Sequence, residues 1–128
     1  MSKKVMIVDD DPFILFSTRE LLESAGFDVI TANSGSKCIE ELKKGFKGVI
    51  LMDIMMPGMD GWDTIREIAD NNLLEGNIIT VFTAKDIDEK TNAFKEYVID
   101  YITKPFDPDE LIAAVEEYFT YIEKNKIK

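Results

Sequence analysis

Four carboxylates, one hydroxyl and one ammonium stand directly after short apolar or β-branched runs in this chain of 128 residues. Asp9, Asp10 and Asp11 follow Val5-Met6-Ile7-Val8, and Asp53 follows Val49-Ile50-Leu51-Met52. Thr83 follows Val81-Phe82, and Lys104 follows Ile102-Thr103. Carboxylates brought together bare repel one another and raise each other's pKa values. A hard divalent cation relieves that conflict. Mg2+ takes one or two carboxylates into an octahedral oxygen shell and keeps waters that exchange for phosphate oxygens. A hydroxyl and an ammonium at the same rim are the hydrogen-bond donor and counter-charge that a phosphoryl group uses. Taken singly, each residue has an ordinary alternative. Asp11 before Pro12 reads as a helix N-cap, Asp9 and Asp10 as a solvated loop, Thr83 as a turn or cap residue, and Lys104 as a surface lysine.

Bringing these groups together requires an alternation of strands and helices. The runs at 5–8, 29–32, 49–52, 78–82 and 101–103 read as strands. Asp11-Pro12 opens a helix to about Ala25, stopped by Gly26. Ser34 caps a second through about Lys44, and the third covers about Trp62 to Asp70, with Ile65 and Ile68 at helical spacing. A fourth helix opens near Asp86 or Asp88. Asp107-Pro108 starts the fifth, in which Leu111, Val115, Tyr118 and Ile122 line one face. Five rounds of strand then helix imply an α/β fold: a doubly wound, five-stranded parallel sheet, flavodoxin-like, with helices on both faces and strand order 2-1-3-4-5. In that order the crevice beyond the carboxyl ends lies between strands 1 and 3, where strand order reverses. Asp9, Asp10 and Asp53 flank it. Two of the five strands end in carboxylates, and they are the two at the switch point.

Composition narrows the chemistry further. There are 25 acidic and 15 basic side chains, a net charge of −10. So acidic a domain is a poor binder of nucleic acid and of anionic membrane surfaces, which both reward clustered Lys and Arg. One cysteine, Cys38, excludes an intrachain disulfide and a Cys-based zinc site. The absence of histidine removes Ser-His-Asp and Cys-His triads and imidazole acid–base catalysis. No secretory leader and no apolar run of membrane-spanning length is visible, so the expected compartment is the cytoplasm. Residues 1–128 read as a single domain, with a core from about 4 to 121 and a short basic C-terminal tail.

The pattern resembles the receiver domain of two-component response regulators, of the chemotaxis-receiver kind. The resemblance rests on Asp9-Asp10, on Asp53-Ile54-Met55-Met56-Pro57-Gly58-Met59-Asp60-Gly61, on Thr83-Ala84 and on Lys104-Pro105-Phe106. It implies that Asp53 is the phosphoacceptor, taking a phosphoryl group from a histidine kinase or phosphotransfer protein. It implies Mg2+ as cofactor, held by Asp10 directly, Asp9 through water, Asp53, and the carbonyl of Met55. Lys104 pairs with the phosphoryl group, and the Lys104–Pro105 bond is expected to be cis. Thr83 and Tyr101 form the switch. It changes a surface of the fourth helix, fifth strand and fifth helix that is read by a downstream protein. Such a domain is not an enzyme in the ordinary sense: it catalyses its own phosphorylation and dephosphorylation.

Three other classes fit less well. An FMN module of the same strand order needs a hydroxyl- and glycine-rich phosphate loop where this chain has Asp9-Asp10-Asp11-Pro12. An aspartate-nucleophile phosphatase needs Asp-x-Asp-x-Thr, and Asp53-Ile54-Met55-Met56-Pro57 lacks the second acid and the threonine. A phosphorylation-independent scaffold has no need of the acids, the threonine and the lysine together. The chain also departs from the family pattern. Tyr97 stands where many receivers have a glycine ending the fourth helix, a place where tyrosine meets a steric penalty. With Val98 and Ile99 it would enlarge an apolar patch or mark a repacked helix end. Met55 and Lys85 sit two residues after Asp53 and Thr83, and neither side chain can orient an attacking water. The expected phosphoryl state is therefore long-lived.

Overall fold

The computed structural model describes residues 3–83 and 96–125, with Thr83 described by its backbone alone. In chain order its elements are β1 (Lys4–Val8), α1 (Pro12–Ser24), β2 (Asp28–Ala32), α2 (Gly35–Lys43), β3 (Gly48–Met52), α3 (Gly61–Asp70), β4 (Asn77–Thr83), β5 (Asp100–Thr103) and α4 (Pro108–Lys124). The label α4 thus denotes the fifth helix expected from sequence. The helix expected near Asp86 or Asp88 falls outside the described residues.

All four strand pairings are parallel, and the order is β2-β1-β3-β4-β5. Strands covered on both faces must be apolar throughout rather than alternating. Val5, Met6, Ile7 and Val8 are accordingly all buried, as is every residue of β3. Their side chains divide by parity. Met6, Val8, Ile50 and Met52 join Cys38, Ile39 and Leu42 of α2 and Trp62, Ile65 and Ile68 of α3. Val5, Ile7, Val49 and Leu51 join Leu22 of α1 and Leu111, Val115, Tyr118 and Phe119 of α4. The sheet is thus sandwiched, α1 and α4 on one side and α2 and α3 on the other.

Local signals set where each helix begins. Asp11 accepts a hydrogen bond from the Phe13 amide at 2.9 Å, and Pro12 occupies the first turn, where its missing N–H costs nothing. Asp107 does the same for α4 by accepting from Asp109 and Glu110. Asp60 and Asp63 form a reciprocal capping box at α3. That box starts α3 at Gly61, one residue earlier than hydrophobic spacing suggests. Gly26, at φ 97°, ends α1 in the left-handed conformation that only glycine accepts without strain. Burial pushes the Cys38 thiol up to about 12, consistent with a packing role beneath α2.

Candidate functional site

Two backbone hydrogen bonds carry the sheet's register one residue past its strands. The Asp9 amide donates to Ala32 at 3.1 Å, and the Asp53 amide donates to Val8 at 2.9 Å. Both aspartates are thereby anchored as the last rungs of parallel ladders. That is why both residues are buried, at 1% and 5% exposure, although they terminate strands. Asp10, the next residue after the β1 rung, is exposed. Carboxylate oxygens of Asp9, Asp10 and Asp53 lie within 4.8 Å of one another. Asp11 serves the α1 cap, and its own amide donates to Asp9 Oδ1 at 3.0 Å.

Lys104 enters from the far side of the crevice. Its Nζ donates to Asp9 Oδ2 and lies 3.8 Å from Asp53 Oδ2. The Lys104–Pro105 peptide bond is cis, as expected. The ammonium also sits 5.1 Å from the centroid of the Phe82 ring, which packs against Phe106 with centroids 5.3 Å apart. An apolar wall of this kind lowers the local dielectric, so the ion pairs it borders are screened less by water. Phe82 was legible in the sequence only as a buried strand residue. Its place beneath the lysine comes from the β4–β5 register, which pairs Phe82 with Ile102.

The loop after β3 wraps the third carboxylate. The Met55 amide donates to Asp53 Oδ1 at 3.1 Å, while the Met55 side chain stays exposed. The loop returns tightly against itself at Gly61, where a Cβ would sit 2.5 Å from the Asp53 carbonyl oxygen and 2.5 Å from Ile54 Cα. Thr83 ends β4 opposite Thr103, which places its backbone at the same rim, although its side chain lies outside the described set. Lys85 lies outside the described residues altogether.

Tyr101 is half-buried against the α2–α3 side of the core, and its hydroxyl is buried with no partner among the described residues. Burial holds that phenol above its ordinary pKa. One residue earlier, Asp100 accepts from the Tyr101 amide at 2.8 Å and from the Tyr118 hydroxyl at 2.7 Å. The Tyr118 phenol is raised mainly by burial, with the Asp100 charge adding to it and the Thr80 hydroxyl opposing. Through Asp100, α4 is tied to the backbone of the expected switch residue, a link that spacing alone did not reveal. Tyr97 avoids the left-handed conformation: Asn72 is the non-glycine with positive φ among the described residues. Val98 is buried and Ile99 exposed, so an apolar patch there is narrower than the three-residue run suggested.

Three carboxylates carry −3 and Lys104 returns +1, so the cluster keeps a residual charge of −2. That residue matches one divalent cation, and an all-oxygen donor set suits Mg2+ or another hard ion over softer metals. The residues present therefore fit the expected metal.

The sequence model of the response regulator receiver domain matches residues 5–116. This chain belongs to that family. The receiver is 31% identical over 119 residues to the transcriptional regulatory protein CrdR of Helicobacter pylori, covering 93% of this chain and 56% of that one. It is 33% identical to the alkaline phosphatase synthesis transcriptional regulatory protein PhoP of Bacillus subtilis, covering 91% and 48%. It is 32% identical to Protein PilG of Pseudomonas aeruginosa, covering 90% and 86%. The receiver thus spans about half the length of the first two relatives and most of the third. Among solved structures, a CheY-like receiver domain protein from Methanospirillum hungatei superposes with a TM-score of 0.90 at 51% identity, covering 96% and 98%. The chemotaxis protein CheY4 of Vibrio cholerae superposes at 0.83 with 26% identity, covering 91% and 98%. No helix among the described residues is long and apolar enough to cross a membrane.

Proposed function

We propose that Asp53 accepts a phosphoryl group from a phosphohistidine on a histidine kinase or phosphotransfer protein. An oxygen of the Asp53 carboxylate attacks phosphorus, the P–N bond breaks, and its electron pair returns to the imidazole of the donor. Asp9, Asp10, Asp53 and the Met55 carbonyl would hold Mg2+, which when bound offsets charge on the transferring phosphoryl oxygens. Lys104 supplies a fixed positive charge on the other side of Asp53, at a distance a phosphoryl oxygen can close. The Met55 amide orients the Asp53 carboxylate by holding Oδ1. Phe13, Phe16 and Met55 are exposed apolar side chains in the segments that follow the clustered acids, and they offer a protein donor a surface to rest on.

The observation that carries this reading is the Lys104 ammonium lodged against Asp9 and near Asp53, with Asp10 completing the acid cluster. The response runs through Thr83 and Tyr101. The phosphoryl group draws the Thr83 hydroxyl, and the Tyr101 ring follows it inward, biasing a two-state equilibrium. Hydrolysis of the acyl phosphate resets the switch, slowly because neither Met55 nor Lys85 carries a carboxylate or amide to orient the attacking water. We place the receiver in the cytoplasm, where the kinase catalytic domain and its nucleotide are found. It acts there by contact with a downstream protein.

The test is incubation with a small acyl phosphate. Wild type gains the mass of one phosphoryl group, Asp53→Asn gains none, and chelation of Mg2+ abolishes the gain. Labelling that survives in Asp53→Asn overturns the assignment.

A further inference from the structure

Lysine is a poor residue for holding a charge in one place. Its stem is long and flexible, and its head is a point charge with no preferred plane. Lys104 also faces two carboxylates: its ammonium donates to Asp9 and lies 3.8 Å from Asp53. Left to these two acids, the cation would settle on the nearer one. A third neighbour supplies the further constraint. The ammonium sits over the face of the Phe82 ring, 5.1 Å from its centroid.

Sheet register puts the ring there. β3 and β4 pair Met52 with Val81, so the next residue, Phe82, stands level with Asp53. β4 and β5 pair Phe82 with Ile102, shortly before Lys104. Asp9 and Asp53 continue the parity of Ile7 and Leu51, whose side chains share the α1–α4 side of the core with Phe82. The ring therefore lies on the side of the sheet toward which both acids turn. It is firmly seated: Phe82 is fully buried, and the Phe106 ring packs against it with centroids 5.3 Å apart at a tilt of 44°. The Lys104 side chain is 16% exposed, so water competes weakly for the ammonium.

We infer that Phe82 is a positioning residue for phosphoryl transfer: its ring face attracts the Lys104 ammonium and keeps it where an oxygen of a phosphoryl group on Asp53 can be reached. An aliphatic side chain at this position would cover the lysine stem as well, but it lacks the negative face of a π system. That attraction is indifferent to which carboxylate the ammonium serves. To bond an oxygen on the Asp53 side, the ammonium must close from 3.8 Å to about 2.8 Å. A shift of about 1 Å keeps it within the ~6 Å over which a ring face attracts a cation. Lys104 thus changes partner without leaving its support. The inference rests on the reading of Asp53 as phosphoacceptor for its consequence, and on the geometry of the ring for the contact itself.

The test separates the charge of the ring face from its bulk. Replacing Phe82 alone by a trifluorinated phenylalanine keeps the ring and cancels most of the negative charge on its face. With Mg2+ saturating, this substitution is expected to slow acyl-phosphate labelling of Asp53 about tenfold, the size of a cation–π contact shielded from water. The same residue in place of Phe27, which stacks on Phe119 elsewhere in the core, leaves the rate within about twofold. Two further measurements use metal-free protein and need no phosphoryl transfer. The ε-methylene protons of Lys104 resonate upfield of those of the other lysines because a ring current lies beneath them, and Phe82→Leu returns them to the ordinary range. In urea unfolding, Phe82→Leu and Lys104→Met combined cost less than their sum, by at least about fivefold in the folding equilibrium, because each removes the same contact. Labelling of the fluorinated protein within twofold of wild type, Lys104 protons unmoved by Phe82→Leu, or an additive cycle overturns the inference. If wild type itself takes no label while the Lys104 signals and the cycle behave as expected, the phosphoacceptor reading falls and the hold of the ring on Lys104 stands.

Discussion

Lys104→Met, studied with and without Mg2+, probes the electrostatic logic of the site most directly. The ammonium contacts Asp9 and lies 3.8 Å from Asp53, and both carboxylate side chains are at most 7% exposed. At an effective dielectric constant of ~20, a pair of unit charges at that separation interacts by about 4 kcal/mol. Removing one partner of a buried pair costs about 3–5 kcal/mol, because the remaining charges stay desolvated and uncompensated. Asp10 is exposed and shares the excess charge with water, so the expected loss in Mg2+-free buffer is about 3 kcal/mol. With Mg2+ saturating, a divalent charge does part of the work of the missing ammonium, and the loss shrinks to about 1–2 kcal/mol. Linkage then requires the variant to bind Mg2+ more tightly than wild type, by roughly tenfold for each 1.4 kcal/mol recovered. Urea unfolding at zero and saturating Mg2+ measures both quantities. Lys37→Met is the control, since Lys37 pairs with Glu40 and Glu41 on the surface of α2, where solvent screens the charges. A loss in Lys104→Met no larger than in the control, or one identical with and without Mg2+, refutes the reasoning.

Other expectations concern single residues. Asp11→Ala removes the α1 cap and lowers stability by about 1 kcal/mol without changing Mg2+ affinity, whereas Asp10→Ala weakens Mg2+ binding and leaves stability nearly unchanged; calorimetric titration beside urea unfolding separates the two. Gly61→Ala forces a Cβ onto backbone atoms of Asp53 and Ile54 and destabilises by about 2–3 kcal/mol, at the upper end for overpacking, and acyl-phosphate labelling slows with it. Cys38 has its folded-state pKa raised by burial, so its stabilising contribution is complete below the unfolded value of about 8.5 and is lost as pH climbs toward about 12. Between pH 8 and pH 10 wild type is expected to lose about 1–2 kcal/mol from this thiol alone, and Cys38→Ala shows a flatter stability profile across that window whatever its absolute stability.

Much of this protein can be read from local chemistry. Asp11-Pro12, Asp107-Pro108 and Gly26 mark helix boundaries because capping and backbone freedom depend on a few neighbouring atoms. Unbroken apolar runs at β1 and β3 announce strands covered on both faces, and that pattern with right-handed crossovers leaves few topologies. Strand order then carries Asp9 and Asp53 to one crevice, so the identity of the acid cluster was available before any coordinates. Contacts between residues far apart in the chain were not. Lys104 reaches Asp9 across 95 positions, Phe82 lies beneath it, and Tyr118 meets Asp100 through the packing of α4. These depend on register, on rotamers and on how two helices settle onto one sheet face, all set by the whole core at once. The burial of Asp9 and Asp53, against the usual exposure of strand ends, belongs to the same class. It arises because parallel ladders continue one rung beyond the apolar runs, and only the assembled sheet determines where its last rung falls.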